Sequence, residues 1–475
     1  MNLKQKTIHS FKWLFLARVS QKALSFGTFI VLARILEPKD FGLFAMAFVV
    51  IDGLGMFQSL GIDSALIQRK DNVERAANTA FFIFPVVGIM LFIILSIFAP
   101  FVSYMLKAPN LTPVIRVLGF LYIIKCFSRV PSTLYVKELN FKTKTIIEMT
   151  AEIFNSTVAI TLAFFKFGVW SLVYAYLAKQ LITFIGFWKF CPWRPKLEFD
   201  IKIAKELIHF GKFVFGAGLI WFLVGNLDRA IIGRLLGMAM LGYYALAYNI
   251  ANLTSTHLTG LLYQVMFPAY SKIQDDKERM KEVFLKTIKY VSLISIPFCV
   301  GVIILAPDFL RIVYGDKWLP SVGVLRVLAI AGLLRSLNVC IGPIFIAVGK
   351  PKMDLKLGIY QIFTLGMLLY PLTKFYGLIG AGIAILISYS VLSIFEFKWG
   401  MRILNVKLYL IFKKFEPAIN GSILIIFLVF LFYSIPWKMN IHKLISVIFF
   451  SILGYLVYIL LKKEIRLSII KSILS

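Results

Sequence analysis

Residues 81–100 read FFIFPVVGIMLFIILSIFAP, an uninterrupted run without a single charge. As a helix, a run of this length crosses the hydrocarbon core of a bilayer, which is about 30 Å thick. Similar segments recur along the whole chain, and they predict fourteen membrane-spanning helices. Their expected positions are near residues 12–35, 41–62, 78–100, 112–132, 147–166, 169–189, 213–235, 240–262, 287–306, 321–348, 356–373, 377–398, 417–436 and 442–461. Long apolar runs without polar alternation favour helices over a β-barrel, so we predict an all-α integral membrane protein.

The loops between these segments differ strongly in their content of Lys and Arg. Every second loop, counted from the N-terminus, belongs to a set that holds more than three times as many of these cations as the opposite set. Because cytoplasmic loops retain cations, both termini are expected inside, in a multi-pass protein of the cytoplasmic (inner) membrane. The net charge of +29 lies in loops that flank apolar segments. It therefore indicates contact with membrane lipids and no nucleic acid partner.

The sequence also contains an internal repeat. A shift of 200 positions aligns Val31–Leu36 with Ile231–Leu236 and Gly42 with Gly242. A shift of 210 positions aligns Arg116 with Arg326 and Lys125 with Arg335. Each copy holds six predicted spans, an even number, so two parallel six-helix lobes are expected around a central cavity. The predicted domains are an N-terminal lobe at 1–200, a C-terminal lobe at 201–400, and an amphipathic linker with two extra helices at 401–475.

Two inward-facing segments, Asp200–Lys212 and Ile403–Phe415, have an amphipathic pattern. Such segments bind along the membrane interface through their apolar face. We predict that they are linkers, the first between the two lobes and the second before the final pair of helices.

Several short motifs resemble those of one transporter family. They are Phe41-Gly42, Asn226-x-Asp228-Arg229-x-Ile-Ile-Gly233, Leu241-Gly-Tyr-Tyr244, Ala247-Tyr-Asn249, Phe267-Pro268 and Tyr314-Gly-x-x-Trp318. Together with the span number, they are similar to Wzx-type polysaccharide flippases of the multidrug/oligosaccharidyl-lipid/polysaccharide superfamily. The resemblance implies alternating-access transport of an undecaprenyl-diphosphate-type lipid-linked oligosaccharide to the outer leaflet, for lipopolysaccharide or exopolysaccharide assembly. It also implies a monomer that acts beside the polymerase of the same pathway.

Nine cations lie inside the predicted spans: Arg18, Lys22, Arg116, Lys125, Arg129, Lys179, Arg229, Arg326 and Arg335. A cation at the centre of a membrane helix costs roughly 2.5–3.5 kcal/mol, so these side chains need water, an anion or a partner. Arg18 and Lys22 are four residues apart, as are Lys125 and Arg129, which places each pair on one helix face. We hypothesise that these four, with Arg335, bind the lipid diphosphate and adjoining sugars.

Other interpretations of these residues stay open. An interhelical salt bridge is the main alternative for Lys125 and Arg335, and Arg116 and Arg326 are placed to extend toward the interface. The acids Asp52, Glu152 and Asp228 are candidates for ion coupling or for a gate, with structural pairing as the alternative.

The sequence lacks the signals of several other function classes. The cysteines at 126, 191, 299 and 340 are too widely spaced for a metal site or disulfide framework, and we expect buried core residues. No Walker motif is present, and we expect neither a cofactor nor an enzyme. The alternatives that remain are an exporter of drugs or peptidoglycan lipid precursors from the same superfamily, and a membrane polysaccharide polymerase or ligase.

Overall fold

The computed structural model describes residues 20–59, 61–138, 140–256, 266, 269–434 and 440–462. Within these ranges the regular structure is entirely helical, which confirms the predicted all-α class. The helices are α1 (residues 20–35), α2 (Pro38–Ser59), α3 (Ile62–Gln68), α4 (Val73–Met105), α5 (Leu111–Lys137), α6 (Phe141–Phe164), α7 (Val169–Phe190), α8 (Ile201–Leu236), α9 (Met238–Ala251), α10 (Lys277–Phe309), α11 (Val322–Asn338), α12 (Gly342–Ala347), α13 (Pro351–Leu404), α14 (Leu408–Ser434) and α15 (Ile441–Leu461). A π-turn at Leu310–Tyr314 and a 3₁₀ turn at Asp316–Ser321 join α10 to α11.

The described residues contain 10 helical stretches that are long and apolar enough to cross a membrane. The chain is therefore a multi-pass membrane protein. One stretch, Lys356–Leu404, covers two of the predicted spans. Gly377 separates them with a φ of 58°, a left-handed conformation that glycine adopts without steric cost.

Two compact units divide the chain, one over Met1–Gly242 and the other over Tyr243–Ser475. This division differs from the boundary at residues 200/201 that the repeat predicts, because α8 packs against α2, α3 and α4. Ile203 and Leu207 in its first turns are buried in the same cluster as Leu66 and Leu134. The repeat boundary stays a prediction about internal symmetry, while packing extends the first unit through α8.

The two predicted linkers are continuous with membrane helices. The side chain of Asp200 accepts hydrogen bonds from the backbone N–H groups of Lys202 (2.8 Å) and Ile203 (3.2 Å), which starts a helix that runs to Leu236. Similarly, α14 begins at Leu408 and continues to Ser434. The first predicted linker, and the second from Leu408 onward, therefore continue into the helix that follows, and their role as linkers stays a prediction.

Within the first unit, α2 crosses the start of α9 at very close range. A Cβ atom on Gly42 would lie 1.7 Å from the carbonyl oxygen of Met238, and one on Gly242 would lie 1.8 Å from that of Pro38. Only glycine permits backbones to approach this closely. The two glycines that the sequence repeat aligns thus make reciprocal contacts.

Within the second unit, the final pair of helices packs on α10. Leu293 and Leu305 of α10 share a buried cluster with Val429 of α14 and with Tyr455 of α15. The Tyr455 hydroxyl donates to the carbonyl oxygen of Leu293 at 2.7 Å. The two extra helices are therefore an integral part of this unit.

Candidate functional site

A charged cavity of about 720 Å³ lies within the first unit. Helices α2, α5 and α7 form most of its wall, and α1, α3 and α6 complete it. Its lining residues are Gln21, Ile51, Asp52, Gly55, Gln58, Asp63, Ile67, Tyr122, Lys125, Ser128, Arg129, Ser132, Thr133, Val136, Lys144, Glu148, Lys179, Gln180, Thr183 and Phe187. Cations, carboxylates, amides and hydroxyls at this density among membrane helices are typical of a solute-binding site.

Buried hydrogen bonds fix α2 against α5 beside this cavity. The Tyr122 hydroxyl donates to the carbonyl oxygen of Ile51 at 2.6 Å, and the Gln58 amide donates to the carbonyl oxygen of Tyr122 at 2.6 Å. Both side chains are buried. Polar bonds of this kind hold the cavity wall rigid, because the alternative is an unsatisfied group in an apolar interior.

Lys125 and Arg129 both line the cavity, as their four-residue spacing on α5 predicts. Their environments differ. Arg129 Nε donates to a carboxylate oxygen of Asp63 at 2.7 Å. Lys125 makes no ion pair among the described residues, and its ammonium lies 5.7 Å from the ring centroid of Tyr176. Lys125 is therefore the cavity cation that is available to a bound anion.

Asp63 is the cavity residue that sequence reasoning missed. The hydropathy pattern places it in a polar loop between two predicted spans, whereas the structure places it on the short helix α3. The apolar positions Ile62, Ala65 and Leu66 around it follow helical spacing and are buried. This short amphipathic pattern is the signal that could have identified it.

Lys179 forms a buried ion pair with Glu152. Its ammonium lies 2.6 Å from a Glu152 oxygen, and the Glu152 carboxylate also accepts from Ser25 (2.7 Å) and Asn155 (3.5 Å). Glu152 is only 3% exposed. Because the pair ties α6 to α7 and, through Ser25, to α1, the geometry favours structural pairing of Glu152; its gating role stays a prediction.

The two other candidate acids lie in different places. Asp52 lines the cavity on α2 and is exposed to it. Asp228 is buried on α8, where it accepts from the backbone N–H of Arg229 at 2.8 Å. The Arg229 guanidinium in turn donates to Asn226 at 3.0 Å. Of the two acids, Asp52 is thus the one in contact with the cavity.

Arg335 belongs to a second polar cluster, within the other unit. Its guanidinium donates to the hydroxyl of Tyr248 at 2.9 Å and to the side-chain oxygen of Asn252 at 3.4 Å. It also lies 6.0 Å from the ring centroid of Tyr389. The structure therefore joins this repeat mate of Lys125 to neutral aromatic and amide groups.

The remaining cations of the predicted spans lie in different environments. Arg18 lies outside the described residues, and Lys22 is exposed on α1, away from the cavity lining. Arg116 donates to the carbonyl oxygen of Ser96 at 3.2 Å, and Arg326 donates to that of Ile303 at 2.9 Å. Each of these two arginines bonds to a backbone carbonyl of the preceding helix, and their extension toward the interface stays a prediction. The four cysteines are free and buried, as expected.

A family model for polysaccharide biosynthesis proteins matches residues 31–323, more than half of the chain. The chain belongs to this family. The chain is 29% identical over 365 residues to the lipopolysaccharide biosynthesis protein WzxC of Escherichia coli (strain K12), and the match covers 76% of this chain and 74% of WzxC. It is 25% identical over 319 residues to the succinoglycan biosynthesis transport protein ExoT of Rhizobium meliloti (strain 1021), covering 67% and 65% of the two chains. The resemblance that its motifs predict is confirmed.

The fold of the chain is similar to that of a solved structure of the lipid II flippase MurJ in an inward closed conformation. The TM-score is 0.74 at 15% sequence identity, and the match covers 96% of this chain and 98% of the other. At this identity, the likeness establishes a common fold.

Proposed function

We propose that this protein is a flippase that moves a polyprenyl-diphosphate-linked oligosaccharide from the cytoplasmic to the outer leaflet of the inner membrane. It acts by alternating access, as a transporter and not as an enzyme, with fourteen spans and both termini in the cytoplasm. The family, a relative named as a transport protein and a fold similar to that of a lipid flippase all support this proposal. The arrangement of lobes, the monomeric state and the partner polymerase stay predictions of the sequence.

The observation that carries the proposal is the environment of Lys125. It faces a polar cavity and forms no ion pair within the described structure. An ammonium group among membrane helices costs free energy unless water or an anion compensates its charge. A lipid diphosphate supplies several negative charges and acceptor oxygens, and the neighbouring Arg129 guanidinium adds donors in a planar fork.

The rest of the cavity suits the sugars next to the diphosphate. Gln21, Gln180, Ser132 and Thr183 line it and provide donors and acceptors for hydroxyl groups. Its volume of about 720 Å³ lies in the usual range for small-molecule sites. The cavity can therefore bind the diphosphate with the first sugar units, while a longer saccharide extends beyond it.

The other candidate residues have proposed roles of their own. Arg335, held by Tyr248 and Asn252, provides a second cationic contact in the course of transport. A contribution of Arg18 and Lys22 to substrate binding stays a prediction from the sequence. Asp52, exposed to the cavity beside Lys125, is the candidate for ion coupling.

Reconstitution tests the proposal. The purified protein is incorporated into vesicles with a synthetic polyprenyl-diphosphate oligosaccharide in the inner leaflet, and a lectin outside reports its arrival in the outer leaflet. We expect the oligosaccharide to appear much faster than in protein-free vesicles, with its mass unchanged. Appearance at the protein-free rate would contradict a flippase, and a change of mass would favour a polymerase or ligase.

A further inference from the structure

Asp63 holds one of the two cavity cations in a defined geometry. Its carboxylate accepts from Arg129 Nε at 2.7 Å and from the Thr133 hydroxyl at 3.3 Å. The Arg129 and Asp63 side chains are 25% and 26% exposed, so the pair is open to the cavity. Any anion that binds Arg129 must therefore compete with a carboxylate that is already there.

The position of Asp63 is fixed from both ends of α3. At the other end, the Lys137 ammonium donates to the carbonyl oxygens of Leu66 (3.0 Å), Ile67 (2.9 Å) and Arg69. Arg129, Thr133 and Lys137 are spaced by four on α5, so a single helix face holds the whole of α3. The carboxylate is thus built into the wall and is not a mobile surface group.

Competition of this kind distinguishes anions by their charge. A membrane presents many phospholipids whose headgroup carries one negative charge, and an uncompensated Arg129 would attract them. Such a headgroup gains little by replacing a carboxylate of equal charge. A diphosphate has more charge and more acceptor oxygens, and it can bind Lys125 on the same face of α5 while it displaces Asp63.

We propose that Asp63 is a specificity-determining residue that keeps singly charged phospholipid headgroups out of the cavity and admits a lipid diphosphate. This inference rests on the proposed function, because it assigns the basis of selectivity to the same cavity. Asp63 acts through Arg129, whose donors it occupies until the correct anion arrives.

The test measures the dissociation constants of two fluorescent probes, polyprenyl diphosphate and phosphatidylglycerol, for wild type and Asp63→Asn. The wild-type protein is expected to prefer the diphosphate. In Asp63→Asn, phosphatidylglycerol should bind about tenfold more tightly, since a hydrogen bond to a charged group is worth at least that factor. The dissociation constant of the diphosphate should change much less, so the preference for diphosphate over phosphatidylglycerol becomes smaller. A preference equal to that of the wild type overturns the role of Asp63.

Glu206→Gln is the matched control, since it removes a carboxylate that pairs with Arg69 at 2.9 Å in the same unit, outside the cavity lining. It should leave the preference for the diphosphate unchanged, and an equal narrowing would assign selectivity to the overall charge of the protein and overturn the inference. If Asp63→Asn does not accumulate, Asp63→Ser also removes the carboxylate and keeps a polar side chain, and it should narrow the preference in the same direction; no narrowing overturns the proposal.

The same measurement separates the two hypotheses. A wild-type protein that does not bind the diphosphate contradicts the proposed function and, with it, the inference. A wild-type preference that survives in Asp63→Asn contradicts the role of Asp63 alone.

Discussion

Lys125 and Arg335 are aligned by the predicted sequence repeat, yet different kinds of side chain lie near them. In the first unit, the cations beside Lys125 are paired with carboxylates, Arg129 with Asp63 and Lys179 with Glu152. In the second unit, Arg335 donates to a tyrosine hydroxyl and an asparagine oxygen, which are neutral. The two helices thus carry a cation at positions that the predicted repeat aligns, while the hydrogen-bonding groups described beside the cations differ.

The difference teaches which interactions each unit depends on. A buried ion pair is strongly sensitive to the loss of one partner, because the remaining charge is left without compensation. A neutral hydrogen-bonding group can be removed at a smaller cost, since no counter-charge is lost. Substitution of the buried acid Glu152 in the first unit should therefore act mainly on stability, and substitution of the neutral group Tyr248 in the second unit mainly on the orientation of Arg335.

The largest effect is expected for Glu152→Gln. The substitution leaves the Lys179 ammonium without a counter-ion, so we expect the free energy of unfolding to fall by about 3 kcal/mol. This value is at the low end for a broken buried ion pair because the Lys179 side chain is one-quarter exposed. Thermal unfolding of the purified protein in detergent should show a clearly lower Tm than that of the wild type.

The double variant Glu152→Gln with Lys179→Met provides the control. Removal of both charges should recover most of the lost stability, because neither partner is left buried alone. An unchanged Tm in Glu152→Gln, or a double variant less stable than the sum of the single changes, would contradict the pairing.

A smaller effect is expected for Tyr248→Phe in the second unit. It removes one hydrogen bond from Arg335 and preserves the ring. If the bond stabilises the transition state of transport by about 1 kcal/mol, transport should be roughly fivefold slower. The reconstituted leaflet assay measures it, with Tyr243→Phe as a ring-preserving control on the same helix. A Tm loss as large as that of Glu152→Gln would remove the distinction between the two units.

Much of the fold was predictable because it depends on patterns that hydropathy and charge report directly. The uncharged run at residues 81–100 lies within α4, and the aligned residues Arg116 and Arg326 make equivalent bonds. The C-terminal boundary of the first unit, which extends beyond the predicted residue 200, was not predictable in the same way. It depends on Ile203 and Leu207, whose burial arises from tertiary contacts and not from local sequence.

The candidate site was predictable in part. Helical spacing places Lys125 and Arg129 together, but it carries no information on which acid from another helix faces them. Asp63 lies distant in sequence, on a helix of seven residues that a span-length window does not detect. The same limit applies to Tyr248 beside Arg335, since contacts between helices depend on packing angles that periodicity alone does not fix.

The central claim is that Lys125 binds the diphosphate of the substrate. The most direct measurement is the equilibrium binding of polyprenyl diphosphate to wild type and to Lys125→Gln, with Lys196→Gln as an exposed control and unfolding curves for all three. The account predicts at least about tenfold weaker binding for Lys125→Gln, with Tm preserved and the control unaffected. Equal affinity of Lys125→Gln and the wild type would contradict it.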